Sequence, residues 1–314
     1  GAFFSKVDPD EWYMSTGNGF PPAQYSLFKI MWYRDNEPAL YQKTYRILGS
    51  KDYCNLRMTG VFATDHSYAS GSGAYDLQRR CYRSDYIEAA GVGPSLFPEI
   101  LSSHTAIGNL TSEAAALLGL TTRTKVMAGG VDNACMALGA RGIRNGRAYL
   151  SLGSSSWIAV TGDRPLLDLS VKPFVFAHCI DGMYASATSI FAAGSSFRWM
   201  RDILCGDLVE QERAGAVPDA YLAMTELAGR VPIGANGLCF NPSLAGGAMI
   251  EESPHMVGCF AGLRLSHTRG DMIRAAMEGI TYNLYYAFTL LEAMQGPIDS
   301  LLLTGGGGKN PFWR

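Results

Sequence analysis

Lys125-Val126-Met127-Ala128-Gly129-Gly130-Val131-Asp132-Asn133 opens the stretch that decides the fold, and Ala148-Tyr149-Leu150-Ser151-Leu152-Gly153-Ser154-Ser155-Ser156-Trp157-Ile158-Ala159-Val160 closes it. The first part runs from an apolar segment, Arg123–Gly130, which reads as a short buried strand, into a carboxylate and then a small-residue helix. The second part reads as a hairpin, Ala148–Leu152 and Trp157–Val160, around the turn Gly153–Ser156. A carboxylate that can take a proton and a loop that can hold phosphate are two parts of phosphoryl transfer. Asp132 also fits a plainer role, the N-cap of a helix beginning at Asn133. The two roles are compatible, because the helix dipole keeps an N-terminal carboxylate ionised. Gly129 and Gly130 leave the backbone bare for close approach.

Working outward, residues 26–48 have helical spacing, with Pro38 marking a break. Thr111-Ser112-Glu113 caps a helix over Ala114–Leu118. Met183–Thr188 reads as a strand and Phe191–Leu204 as a helix. The strongest helical pattern is Asp271–Met294, where Thr268 and Asp271 form a capping pair. Leu301–Thr304 reads as a buried strand, followed by the turn Gly305–Gly308 and a helix with Pro311 in its first turn. Strands alternating with helices mean an α/β fold. The domain boundary is expected near Gly142–Gly146, giving domains 1–145 and 146–314.

Composition narrows the function. The chain has 314 residues, enough for two domains, with 47% hydrophobic and 17% charged residues. A net charge of -2 leaves no basic footprint for nucleic acid. No apolar run is long enough to cross a bilayer, and Gly1–Lys6 lacks a signal-peptide layout. Seven scattered cysteines without a C-x-x-C pair read as reduced thiols in a cytoplasmic protein. The five histidines have no metal-ligand spacing, so core or surface roles are expected and no metal ligands are assigned. Trp12, Tyr13, Trp32 and Tyr33 are expected in the core rather than at a sugar site. The absence of G-x-S-x-G and of G-x-G-x-x-G speaks against a hydrolase and a dinucleotide-binding dehydrogenase.

The glycine loops carry different weights. Gly153–Ser156 is ordinary turn chemistry that can also form an anion nest. Four glycines at Gly305–Gly308 exceed what a turn needs, which implies close approach by a ligand or another backbone.

Several segments, in order, resemble the FGGY family of carbohydrate kinases. Ser26–Pro38, with Lys29 and Trp32, looks like the first family signature. Thr64-Asp65-His66-Ser67-Tyr68-Ala69-Ser70 is similar to the family's Thr-Asp-x-Ser-x-Ala-Ser segment. Gly129–Asn133 resembles the catalytic segment in its xylulokinase-like form, and Gly153-Ser154 stands where Gly-Thr is usual. Gly194 through Asp202 resembles a segment beside the nucleotide. Gly258, Phe260, Gly262, Leu263, Asp271 and Glu278 fit the second signature, and Thr304–Arg314 looks like the adenosine motif. Two departures stand out. No Asp-x-Gly-Thr phosphate hairpin occurs, and Leu244–Ala248 lacks the Gly-Glu-Arg usual in xylulokinase-like members.

The resemblance implies two ribonuclease H-like (actin-like ATPase) domains around a cleft, the first incomplete. It implies ATP with Mg²⁺, and Asp132 as the general base. Asn133 would bind the sugar, Gly153 and Ser154 would hold phosphate, and Gly194, Gly306 and Asn310 would surround the adenosine. D-xylulose, phosphorylated to D-xylulose 5-phosphate, is the first substrate expected. Ribulose, fuculose, gluconate and glycerol stay open, as does a non-catalytic sugar-binding module of the same fold. Lacking the first phosphate hairpin, residues 1–314 alone are expected to be weak or inactive as a kinase. They are also expected to leave a sheet edge that invites a homodimer.

Overall fold

Asp8 and Pro9 start the first helix, Pro9–Thr16. The Asp8 carboxylate accepts from the N–H groups of Asp10 at 3.0 Å and Glu11 at 2.9 Å, and Gly17 ends the helix in the left-handed region. In this computed structural model, which describes residues 2–190, 192–247, 250, 253 and 255–314, the chain divides into two units. The first is Gly1–Arg147 with Thr161–Ser186, and the second is Ala148–Val160 with Ala187–Arg314.

Segment 161–186 groups with the first unit because it is tied there by hydrogen bonds and packing. Tyr13 donates its hydroxyl to the Pro173 carbonyl at 3.0 Å, and Val175 N–H donates to the Gly17 carbonyl at 2.9 Å. Tyr184 donates to the Leu77 carbonyl at 2.9 Å. A Cβ at Gly17 would lie 2.7 Å from both Leu77 and Val175, at a φ of 65°, so only glycine fits where these segments meet. Trp12, Tyr13, Tyr25, Leu27, Ile30, Tyr86 and Ile87 are buried in this unit's core. Trp12 satisfies its indole N–H on the Gly73 carbonyl at 2.8 Å.

Several expectations shift here. The helical pattern of 26–48 resolves into Ser26–Asn36 and Pro38–Gln42, while residues 44–49 are irregular because Ile47 N–H turns to the Leu96 carbonyl at 2.8 Å. Trp32 and Tyr33 are exposed rather than core, on the outer face of Ser26–Asn36. The strand expected over 123–130 shortens to Lys125–Met127 and buries only Val126. It pairs antiparallel with Ala106–Asn109 alone, so its other residues face outward. The helix Ser112–Leu118 follows Thr111 as expected, with the Thr111 hydroxyl accepting from Ala114 N–H at 3.1 Å.

Leu301–Thr304, Arg147–Leu152, Ser156–Gly162 and Tyr184–Ile190 are successive neighbours in one sheet. Leu301–Thr304 runs parallel to 148–151 as the edge strand, which leaves Leu301 and Leu302 exposed rather than buried. The helix expected from Phe191 starts at Gly194, and Phe191 itself lies outside the described residues. The long helix spans Arg269–Gln295 and buries Ile273, Met277, Ile280, Leu284 and Leu291 at helical spacing. At Gly279 a Cβ would lie 2.0 Å from the Phe240 carbonyl oxygen, so the strand Cys239–Asn241 rests directly on helix backbone. Residues 307–309 form a short 3₁₀ turn, and 311–313 form a turn rather than a helix. Of the Leu244–Ala248 segment, Ala248 lies outside the described residues.

The long helix begins in a capping box: the Asp271 carboxylate accepts from Thr268 N–H at 2.7 Å and from the Thr268 hydroxyl at 2.6 Å. These bonds, with Thr268 first, hold the Asp271 pKa below the usual carboxylate range. A carboxylate with a lowered folded pKa stabilises the fold above its unfolded pKa, and that stabilisation is lost as pH falls through the folded value. Asp271→Ala is therefore expected to cost about 1 kcal/mol near neutral pH. In urea melts, the difference from wild type should shrink once pH falls below about 4.

Candidate active site

Asp132 is the first residue of the helix Asp132–Gly139, and Val131 occupies the cap position. This replaces the expected capping role. Because Asp132 already has helical backbone, its carboxylate accepts from the adjacent Asn133 N–H, at 2.8 Å, rather than capping the helix from outside. It is exposed, and Asn133 beside it is half-buried. The residues ahead of it are held from within the first unit. Ala128 N–H donates to the Thr105 carbonyl at 2.8 Å, and Gly129 N–H to the Ser103 carbonyl at 2.9 Å. A Cβ on Gly130 would lie 2.2 Å from the Cys179 sulfur, so any larger residue here would have to displace the Cys179 side chain. Cys135 and Cys179 have their sulfurs 4.0 Å apart. Burial pushes the Cys179 thiol pKa up to about 11, which keeps it protonated near neutral pH.

A cavity of about 630 Å³ lies in the second unit, and Gly153, Ser154, Gly194, Gly306 and Asn310 all line it. Its floor is where three backbone segments meet. The Gly153 and Ser154 carbonyls accept from Gly194 N–H at 2.8 Å and Ser195 N–H at 2.9 Å, the first two amides of the helix Gly194–Leu204. Those helix-end donors therefore anchor the turn, a use of orphan N–H groups that any helix start requires. A Cβ at Gly194 would meet the Gly153 carbonyl oxygen at 2.4 Å. Gly305 has a φ of 86°, and a Cβ there would meet the Leu152 carbonyl oxygen at 2.6 Å. Gly307 packs against the Leu152 side chain. Gly306 differs: its backbone is right-handed helical, and a Cβ would meet no protein atom within 4 Å.

One wall is aromatic. The Phe197 ring stacks on Tyr221 at 5.8 Å and meets Trp313 at 4.8 Å. The Arg201 guanidinium sits 4.9 Å from the Tyr221 ring centre. Asp219 fixes this wall by accepting from Tyr221 N–H at 2.6 Å and Leu222 N–H at 3.1 Å, capping Ala220–Gly229. The Asn310 amide oxygen caps the following turn, accepting from Phe312 N–H at 3.0 Å and Trp313 N–H at 3.2 Å. Asn310 thus shapes the cavity by holding Trp313. Sequence reasoning missed Asp219 and Tyr221 as cavity residues, and reached Phe197 and Trp313 only as members of the segments likened to the nucleotide-flanking and adenosine motifs. The available signal was Asp219 preceding a helical run, a cap pattern.

The lining suits a ligand with a flat apolar part and an anionic part: aromatic faces on one side, bare glycine backbone and the Lys309 and Arg198 cations on the others. Among the described residues, no group of three or more His, Cys, Asp or Glu side chains could hold a metal ion, and no helix is long and apolar enough to cross a membrane.

Comparison with known proteins gives the family. The FGGY family of carbohydrate kinases matches through its N-terminal domain over residues 4–139 and its C-terminal domain over residues 148–314. The chain is 32% identical over 293 residues to the xylulose kinase of Bacillus subtilis, covering 92% of this chain and 56% of that protein. It is 30% identical to a gluconokinase of Bacillus licheniformis, covering 96% of this chain and 58% of that one. The crystal structure of xylulose kinase from Rhodospirillum rubrum superposes with a TM-score of 0.88 at 29% identity, covering 98% of this chain and 60% of that one. The chain thus spans somewhat under two thirds of the length of these relatives. Its mixed α/β structure is that of two-domain actin-like ATPases, and the chain belongs to the FGGY family of carbohydrate kinases.

Proposed function

We propose that this chain carries the nucleotide site and catalytic carboxylate of an ATP-dependent sugar kinase. The observation that carries the reading is the cavity of the second unit, where a glycine-lined floor and an aromatic wall offer places for phosphate and for a purine. In this reading Gly153 and Ser154 hold phosphate, and Gly194, Gly306 and Asn310 border the adenosine. Asp132 takes the proton of the attacking sugar hydroxyl, and Asn133 orients the sugar. Positioning and electrostatics supply most of the rate in phosphoryl transfer. Magnesium bound with the nucleotide would neutralise charge on the phosphates, and among the described residues no cluster of three or more His, Cys, Asp or Glu side chains would hold it.

D-xylulose is the first substrate proposed, yielding D-xylulose 5-phosphate, because the relative at 32% identity is a xylulose kinase. Gluconate is the second, favoured by the gluconokinase at 30%. Free cysteines throughout the described residues suit a reducing cytoplasmic setting. ATP consumption by the full-length protein against a panel of sugars and polyols tests the proposal. Turnover driven by D-xylulose or gluconate is expected. Sugar binding that ATP neither follows nor changes would instead mark a non-catalytic module.

Two substitutions separate the roles. Asp132→Asn in the full-length protein should lower kcat by roughly 10²–10⁴-fold while nucleotide affinity stays near wild type; retention of most activity would remove Asp132 from the chemistry. Gly306→Ala should leave the melting temperature unchanged or slightly raised, since its backbone already suits alanine. The same change should weaken ATP binding, read by calorimetry, because the added methyl occupies space beside the cavity.

A further inference from the structure

Thr64-Asp65-His66-Ser67 lies outside both the cavity lining and the helix Asp132–Gly139. In the structure it is the hub of a buried network. Asp65 ends the strand Ala63–Asp65 and is fully buried. One of its oxygens, Oδ1, pairs with the Lys51 ammonium at 3.0 Å. The other, Oδ2, accepts from Ser67 N–H at 2.9 Å, from the Ser67 hydroxyl at 2.5 Å and from the Ser103 hydroxyl at 2.7 Å.

The Ser67 hydroxyl, while donating its hydrogen bond to Asp65, accepts from Val131 N–H at 2.9 Å. Val131 is the residue immediately before Asp132. Lys51 extends the same grip upstream, donating to the Ala128 carbonyl at 2.8 Å, where Asn55 also donates at 2.9 Å. The loop that leads into Asp132 is therefore held at both ends by a network centred on one buried carboxylate. Hydrogen bonds to an ionised acceptor are the stronger kind, and a chain of them polarises each member.

We infer that Ser67, oriented by Asp65, is a positioning residue for the Asp132 carboxylate. It fixes the amide one residue upstream of Asp132 and so sets where the helix Asp132–Gly139 begins. This rests on the reading of Asp132 as the base. Ser67 touches neither substrate in that reading, and its effect on turnover passes through the placement of Asp132. A misplacement of about 1 Å can cost roughly 10²-fold in rate.

Ser103 supplies a matched control: its hydroxyl bonds the same Asp65 oxygen without reaching Val131, and its carbonyl, which accepts from Gly129 N–H, is kept in an alanine variant. The experiment compares Ser67→Ala and Ser103→Ala in the full-length protein by kcat, by KM for sugar and ATP, and by melting temperature. Both should lose similar stability. Ser67→Ala should lower kcat by roughly 10-fold or more with KM for ATP little changed, while Ser103→Ala stays within about twofold of wild type by the same argument. Adding Ser67→Ala to Asp132→Asn should lower the residual rate no further. Equal kcat losses in the two serine variants, or a wild-type kcat in Ser67→Ala, would overturn the inference. If Asp132→Asn is inactive while Ser67→Ala is normal, only the positioning role fails. If Asp132→Asn stays active, the reading of the base fails instead.

Discussion

Direct backbone-to-backbone contact, with no side chain between, is the constraint on which the second unit's cavity depends. The turn after the strand Arg147–Leu152 presents its carbonyls to the first amides of the helix Gly194–Leu204, and Gly305 lies against Leu152 from the other side. Any Cβ at Gly194 or Gly305 would drive one segment off the other, since a 2.4 or 2.6 Å approach to a carbonyl oxygen has no room to relax. The aromatic wall follows from this floor. Phe197 lies one turn into the helix that Gly194 starts, and Trp313 lies just past the glycine run, held by Asn310. Three separate stretches of chain thus form one site only because glycine lets them touch.

The first unit relies on a different principle. Lys51 joins Asp52 at 2.6 Å and Asp65 at 3.0 Å where both carboxylates are buried. Burial opposes the charge on Lys51, yet its hydrogen bond to Asp52 and the charge of Asp65 outweigh that cost and raise its pKa. Removing one member of a buried pair costs about 3–5 kcal/mol, because the other is left unpaired. Such a network suits a loop that must be stiff, and here the loop is the one entering Asp132.

Local chemistry was legible in the sequence, and non-local contact was not. Thr111, Thr268 and Asp271 announce their helices because a cap acts within three residues. The four-glycine run was legible as a place of close approach, though not which partner each glycine meets. The exposure of Leu301 and Leu302 escaped the sequence because an apolar run looks the same at a sheet's edge as at its centre. Residues 44–49 escaped for a similar reason, their helical spacing being overridden by the bond from Ile47 to Leu96. The tie from Ser67 to Val131 joins residues 64 apart, and no periodicity carries it.

Amide hydrogen exchange of the full-length protein, with and without a non-hydrolysable ATP analogue, tests the central claim most directly. Slowed exchange is expected in residues 153–155, 194–198, 219–222 and 306–313 when the nucleotide is present. Unchanged exchange in those four segments, under conditions where calorimetry shows the nucleotide bound, would contradict it.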